Sequence, residues 1–177
     1  MRVVAGTARG RTLVAPPGSR TRPTTDRVRE AIFNALGSRD ALEGARVADL
    51  FAGSGALGVE ALSRGAAHAT FVDRDHQARR AVARNLAACG FEDRATVVAA
   101  PVERWLAGLA PGDAFDLAFC DPPYAFDAWD GLLSALPASL VVVESDRPVA
   151  PPPPWDLVRE ARYGGTWVGF ATGPSPG

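Results

Sequence analysis

The sequence predicts a doubly wound α/β domain whose sheet is mostly parallel and closes on an antiparallel hairpin. Three observations carry this reading. Five short apolar runs, at 47–51, 69–72, 95–99, 115–120 and 140–143, mostly lack the alternation of a half-exposed strand and are expected to be buried on both faces. Stretches with helical periodicity at 56–64, 76–89, 102–109 and 129–136 separate them. After a stiff proline-rich segment at 148–154, strand-like runs at 157–163 and 166–171 flank Gly164-Gly165, a hairpin signal that does not belong to the nicotinamide-type strand order. In such sheets ligands sit beyond the carboxyl ends of the strands.

Ahead of the first buried strand, β-prone runs at 3–5 and 12–14 surround Gly6-Thr7-Ala8-Arg9-Gly10-Arg11, which predicts a small hairpin with arginines at its tip. Pro16-Pro17-Gly18 ends it. Thr24 or Thr25 is suited to cap a helix that runs to about Gly37, with Asp26 in its first turn and Val28, Ala31, Ile32, Ala35 and Leu36 on one face. Arg27 and Arg29 are expected to project away from that face. The chain therefore divides into a basic β-hairpin arm at 1–20, a connecting amphipathic helix segment at 21–45, the α/β domain at 46–173 and a tail at 174–177.

Composition narrows the class. The 177 residues are 47% hydrophobic, ample for one buried core. No stretch approaches the roughly 20 apolar residues that span a bilayer, and the opening Met1-Arg2-Val3-Val4-Ala5-Gly6 turns polar too soon for a signal peptide. Cys89 and Cys120 fall in a helix and a buried strand, as packing residues of a reduced, cytoplasmic protein. His68 and His76 have no ligand partners at metal spacing, so no metal site is expected. The net charge of −1 conceals an asymmetry: residues 1–30 hold seven arginines against two acids, while the remainder is acidic. A basic arm on an acidic body suits an arm that touches phosphates.

Asp49-Leu50-Phe51-Ala52-Gly53-Ser54-Gly55-Ala56-Leu57-Gly58 follows the first strand and opens a helix, and Asp73 lies 20 residues beyond Gly53, where an acidic side chain meets a ribose hydroxyl pair. The ligand is therefore nucleotide-like. Asp49, just before the glycines, opposes a pyrophosphate and suits a ligand with an ammonium near a sulfonium, which points to S-adenosylmethionine. Asp49, Phe51, Gly53, Gly55 and Asp73 form the expected cofactor set, with Asp75 as a helix cap. Ala99-Ala100-Pro101-Val102 has no polar side chain for an adenine, which leaves apolar packing and the backbone N–H of Val102.

Asp121-Pro122-Pro123-Tyr124 closes the run 115–120. Two prolines stiffen the turn and remove backbone donors. What remains is almost all acceptor: the Asp121 carboxylate and the carbonyls of Asp121 and Pro122, with the Tyr124 ring as a stacking surface. Asp121, Pro122 and Tyr124 are the expected reacting-centre residues, a receptor for an exocyclic amino group on a flat base. Glu144 reads as either a structural ion pair or a pocket wall.

Together these residues resemble a known family, the 16S rRNA (guanine(966)-N(2))-methyltransferases, small bacterial enzymes that methylate an exocyclic guanine N2. The resemblance covers nearly the whole chain: Ala5-Gly6 with Arg9-Gly10-Arg11, then Arg22-Pro23-Thr24-Thr25-Asp26-Arg27-Val28-Arg29-Glu30, the run from Asp49 into Glu60-Ala61-Leu62-Ser63-Arg64-Gly65, then Asp121-Pro122-Pro123-Tyr124, Val143-Glu144 and Tyr163-Gly164. It implies a class I S-adenosylmethionine-dependent methyltransferase sheet, 16S rRNA as substrate within an assembled or assembling 30S subunit, and phosphate contacts from Arg9, Arg11, Arg22 and Arg27. Pro101 departs from the polar residue usual in the family, and the prolines at 151–154 replace an expected helix. Competing readings are an adenine-N6 nucleic-acid methyltransferase, a nicotinamide oxidoreductase and a noncatalytic RNA-binding assembly factor.

Overall fold

In the computed structural model, which describes residues 1–18 and 26–174, seven strands form one sheet. The strands are β1 (Arg46–Leu50), β2 (His68–Val72), β3 (Ala95–Val98), β4 (Phe115–Cys120), β5 (Ala138–Ser145), β6 (Asp156–Tyr163) and β7 (Thr166–Thr172). Their order is β3-β2-β1-β4-β5-β7-β6, with β1 to β5 parallel and β7 antiparallel to both its neighbours. The helices are α1 (Asp26–Gly37), α2 (Ala56–Ser63), α3 (His76–Cys89), α4 (Val102–Ala107) and α5 (Trp129–Ala135). No helix among the described residues is long and apolar enough to cross a membrane.

Side chains alternate across the central strands, and each set joins a different apolar layer. Val47, Phe71, Leu117, Phe119 and Val142 pack with α1, α2 and α3, whereas Ala48, Leu50, Val72, Cys120 and Val143 pack with α4 and α5. Each fully buried phenylalanine here stabilises the fold by about 1.5–3 kcal/mol relative to exposure. The expectation of burial on both faces fails at β3. Ala95 and Val98 are half-buried while Thr96 and Val97 are exposed, Val97 to 39%, because β3 pairs only with β2 and forms the sheet edge.

The arm is a hairpin in connectivity but contributes no regular strand. Its pairing is one antiparallel bridge, Arg2 with Thr12, extended by Leu13 N to Met1 O (2.8 Å) and Val3 N to Arg11 O (3.0 Å). The arm is held by α2 instead. Glu60, fully buried, accepts from Val4 N (2.8 Å), Ala5 N (3.0 Å) and Arg64 Nε (2.8 Å). Ser63 Oγ accepts from Ala8 N at 2.9 Å and donates to Ala5 O at 2.6 Å. Gly6, at φ 84°, lies so close to α2 that an added Cβ would stand 1.8 Å from Ser63 O.

Arg29 corrects the sequence reading: it does not project from α1 but is completely buried. Its Nη2 donates to Asp26 Oδ1 (2.8 Å) and to Arg2 O, and Nε lies 3.8 Å from Glu60 Oε2. A buried guanidinium is tolerated because a buried carboxylate compensates it. Arg27 is exposed, as expected. The proposed Thr24 or Thr25 cap and the end of the tail lie outside the described residues.

Candidate active site

Parallel register places the ends of three strands side by side. Leu50 pairs with Val72 on one side and with Cys120 on the other, so Phe51, Asp73 and Asp121 leave the sheet at one rim. They line a cavity of about 540 Å³ together with Gly53, Val102, Pro122 and Tyr124. Seven of the nine expected cofactor and reacting-centre residues thus converge. The other two, Asp49 and Gly55, do not line the cavity.

The three glycines of the loop have different physical tasks. Gly53, at φ 57°, lines the cavity, and its N–H donates to Asp73 Oδ2 at 2.9 Å. Gly55 precedes α2 in the left-handed conformation, and a Cβ there would approach Val82 Cγ2 to 3.0 Å. At Gly58 a Cβ would stand 2.3 Å from the Phe71 ring. The last two permit α2 to lie against the sheet and α3, a packing role that the motif spacing does not separate from ligand contact.

Asp49 is 2% exposed, and its Oδ2 accepts from Gly58 N at 2.9 Å. Burial pushes its carboxyl up to about 8; the Gly58 N–H opposes this, while the charges of Asp121 and Asp73 add to it. Phe51 holds φ 56°, a conformation uncommon outside glycine, and its ring meets Phe126 edge-on at 5.4 Å. Phe126 in turn meets Trp129 at 5.0 Å. This aromatic chain ties the end of β1 to the turn beyond β4.

Asp73 is fixed through both oxygens, Oδ2 by Gly53 N and Oδ1 by Asp75 N at 2.8 Å. Each oxygen keeps acceptor capacity for a hydroxyl. Asp75 caps α3, accepting from Gln77 N at 2.7 Å. Val102 opens α4 with a buried side chain. In the turn after β4, Asp121 and Pro122 are half-buried and Tyr124 is exposed. Phe126 N donates to Pro123 O at 2.9 Å, and Arg147 Nη2 donates to Phe126 O at 2.8 Å, which braces the loop.

The cavity also holds residues that the sequence reading did not select. Glu103 and Arg74 lie one residue beyond Val102 and Asp73, so a wider window around each strand end would have included them. Pro16, Pro17 and Gly18 form part of the wall, and no local signal announces that. Glu144 is buried in β5 and does not line the cavity. Arg9, Arg11 and Arg27 are exposed and outside it; Arg22 lies outside the described residues. Among the described residues no cluster of His, Cys, Asp and Glu could hold a metal ion.

A parallel sheet closed by an antiparallel hairpin, with a glycine loop after the first strand and an acidic residue after the second, is the class I S-adenosylmethionine-dependent methyltransferase fold. The chain matches the family described as Conserved hypothetical protein 95 over residues 1–172, and it belongs to that family. It is 42% identical to YlbH of Bacillus subtilis (strain 168), over 95% of this chain and 96% of that one. To Ribosomal RNA small subunit methyltransferase D of Haemophilus influenzae it is 34% identical, over 93% and 89%. The solved structure of yhhF from Escherichia coli superposes with a TM-score of 0.85 at 35% identity, covering 99% of this chain and 98% of that one. The resemblance read from the motifs is borne out at the level of the family.

Proposed function

We propose that the protein transfers a methyl group from S-adenosylmethionine to the exocyclic N2 of a guanine in 16S rRNA, within an assembled or assembling 30S subunit. The observation that carries this reading is a single cavity lined both by the glycine loop with Asp73 and by the Asp121-Pro122-Pro123-Tyr124 turn. The names of similar proteins, including Ribosomal RNA small subunit methyltransferase D of Escherichia coli (strain K12), support the substrate class.

The chemistry of the lining fits the cofactor. Among the described lining residues, Asp73, Asp75, Glu103 and Asp121 outnumber the cation Arg74. Such a field favours a cationic ligand with ribose hydroxyls and opposes a pyrophosphate, which disfavours a nicotinamide dinucleotide. S-adenosylmethionine, when bound, supplies an electrophilic methyl group. Gly53 and Phe51 would hold it at the end of β1, Asp73 at the ribose and Val102 at the base, while Asp49 and Gly55 support the loop from beneath.

Guanine N2 is a poor nucleophile because its lone pair is delocalised into the ring. Hydrogen bonds from its –NH2 to the Asp121 carboxylate and the Pro122 carbonyl fix its orientation and favour a pyramidal nitrogen. Positioning of this kind supplies about 7–11 kcal/mol of a barrier, so the proposed step calls for no nucleophilic side chain. Asp121 orients the amine; as the new N–C bond forms, the thioether S-adenosylhomocysteine would be the leaving group, and the proton given up by the nitrogen passes to this carboxylate or to water. Extruding the base from its stack costs a few kcal/mol, and stacking on Tyr124 offsets part of it. Arg9, Arg11, Arg22 and Arg27 are assigned to flanking phosphates. Replacing Arg9 and Arg11 with Ala is expected to reduce the salt slope of RNA binding by about 1 per lost phosphate contact; an unchanged slope would reject that assignment.

Mass mapping of modified nucleosides in rRNA from cells with and without the protein tests the whole reading. One N2-methylguanine lost from 16S rRNA is the expected outcome. Unaltered 16S rRNA, or tritium transfer to duplex DNA with none to 30S subunits, would overturn it.

A further inference from the structure

Asn85 lies in the interior of α3 and is 1% exposed. Asparagine is a weak helix former because its side chain competes for backbone hydrogen bonds, so its presence there calls for a tertiary return. Its carboxamide supplies one. Oδ1 accepts from Val14 N at 2.8 Å, and Nδ2 donates to Val14 O at 2.9 Å and to Ser54 O at 2.8 Å. Both donors and one acceptor site are thus engaged, and the partners define the orientation: one N–H faces the oxygen and two carbonyls face the nitrogen. A reversed amide would set oxygen against both carbonyls.

The three contacts join the exit of the arm and the glycine loop to α3. Val14 is at the exit of the arm, and Ser54 sits between Gly53 and Gly55 in the glycine loop. Two residues beyond Val14, the segment Pro16, Pro17 and Gly18 lines the same cavity as Gly53, Asp73 and Ala78 of α3. Proline fixes φ and lacks an N–H, so this wall segment has few backbone hydrogen bonds of its own with which to hold its place. Among the described residues, its nearest polar anchor to the body is the Asn85 clasp.

We propose that Asn85 is a positioning residue of the cofactor site: it ties the arm's exit to the glycine loop and thereby sets residues 16–18 as one wall of the cavity. The arm then has a second role besides contact with RNA, because it completes the cofactor pocket from a part of the sequence that precedes the sheet. Any displacement of the arm loosens that pocket. This inference rests on the cavity being the cofactor site.

The test is calorimetric titration of the full-length protein with S-adenosylhomocysteine, for the unaltered chain, Asn85→Ala, Asn85→Asp and the remote control Val168→Ala. Asn85→Ala removes all three contacts. Asn85→Asp keeps the acceptor for Val14 N–H and loses both donors, so it gives a second measurement if the alanine variant does not fold. Either variant is expected to weaken binding about tenfold, whereas Val168→Ala, in the core on β7, stays within about twofold even where its melting temperature falls as far. Hydrogen exchange should rise together at residues 13–18 and 52–55 in the Asn85 variants and not in the control. Equal affinities for the unaltered and Asn85-substituted proteins would overturn the inference alone. An unaltered protein that does not bind S-adenosylhomocysteine would overturn the cofactor reading and this inference with it.

Discussion

The two corners that meet over the cavity start from neighbouring strands in register and are built in opposite ways. The corner from β1 into α2 is closed: Asp49 is buried and bonded to Gly58 N, the Phe71 ring leaves no room for a Cβ at Gly58, and Val82 and Phe71 leave little at Gly55. The corner beyond β4 is open: Asp121 and Pro122 are half-buried and Tyr124 is 46% exposed. Packing makes the first corner rigid, and proline makes the second rigid without burying it. A polar group can meet a ligand only where it keeps access to the cavity, so the proposed methyl transfer is assigned to the open corner, while Asp49, Gly55 and Gly58 of the closed one serve its architecture.

Substitution should divide along the same line. The largest effect is expected from Asp121→Ala, which should lower methyl transfer by about 100- to 1000-fold, since it removes a preorganised acceptor at the reacting group. Single-turnover assays and thermal melts on the same samples check this. A loss of activity matched by a fall in melting temperature would erase the distinction between the corners. Tyr124→Ala should reduce turnover about 10- to 100-fold through lost base stacking, with cofactor affinity unchanged by calorimetry; equal losses in both would mean that the base lies elsewhere.

At the closed corner the expected damage is to stability. Gly58→Ala drives a methyl group to 2.3 Å from the Phe71 ring and should cost about 1–3 kcal/mol, read from chemical denaturation. Unchanged stability would show that α2 is free to shift. The same corner also predicts a pH dependence of stability. Asp49 titrates at about 8 in the folded protein against an ordinary 3.8, so between these values the folded chain keeps a proton that the unfolded chain has lost. The contribution of this group to stability is therefore greatest below about pH 4 and declines as pH rises to about 8. Asp49→Asn should flatten that part of the stability profile relative to the unaltered protein, and parallel profiles would place Asp49 in contact with solvent.

The helices and strands were legible because their signals are local. The helix at 76–89 and the strand at 115–120 coincide with α3 and β4, and most other boundaries fall within two residues. β5 is longer by two residues at each end because pairing with β4 and β7 recruits flanking residues that lack a strong pattern of their own. The rim was legible for a related reason: ligand residues in this fold follow strand ends, so locating the strands located Phe51, Asp73 and Asp121.

The alternation of elements, the bend at each strand end and the acceptor character of the Asp121-Pro122-Pro123-Tyr124 turn are all set by residues within a few positions of one another, and so are written locally in the chain. Long-range packing instead selects which of two nearby arginines is buried, gives two of three glycines a packing role, and makes Pro16, Pro17 and Gly18 a wall of the cavity. Arg27 and Arg29 are chemically identical and differ because Arg29 meets Glu60 and the Arg2 carbonyl. Burial of a charge depends on a compensating partner brought from elsewhere in the chain, and periodicity along one helix carries no record of it.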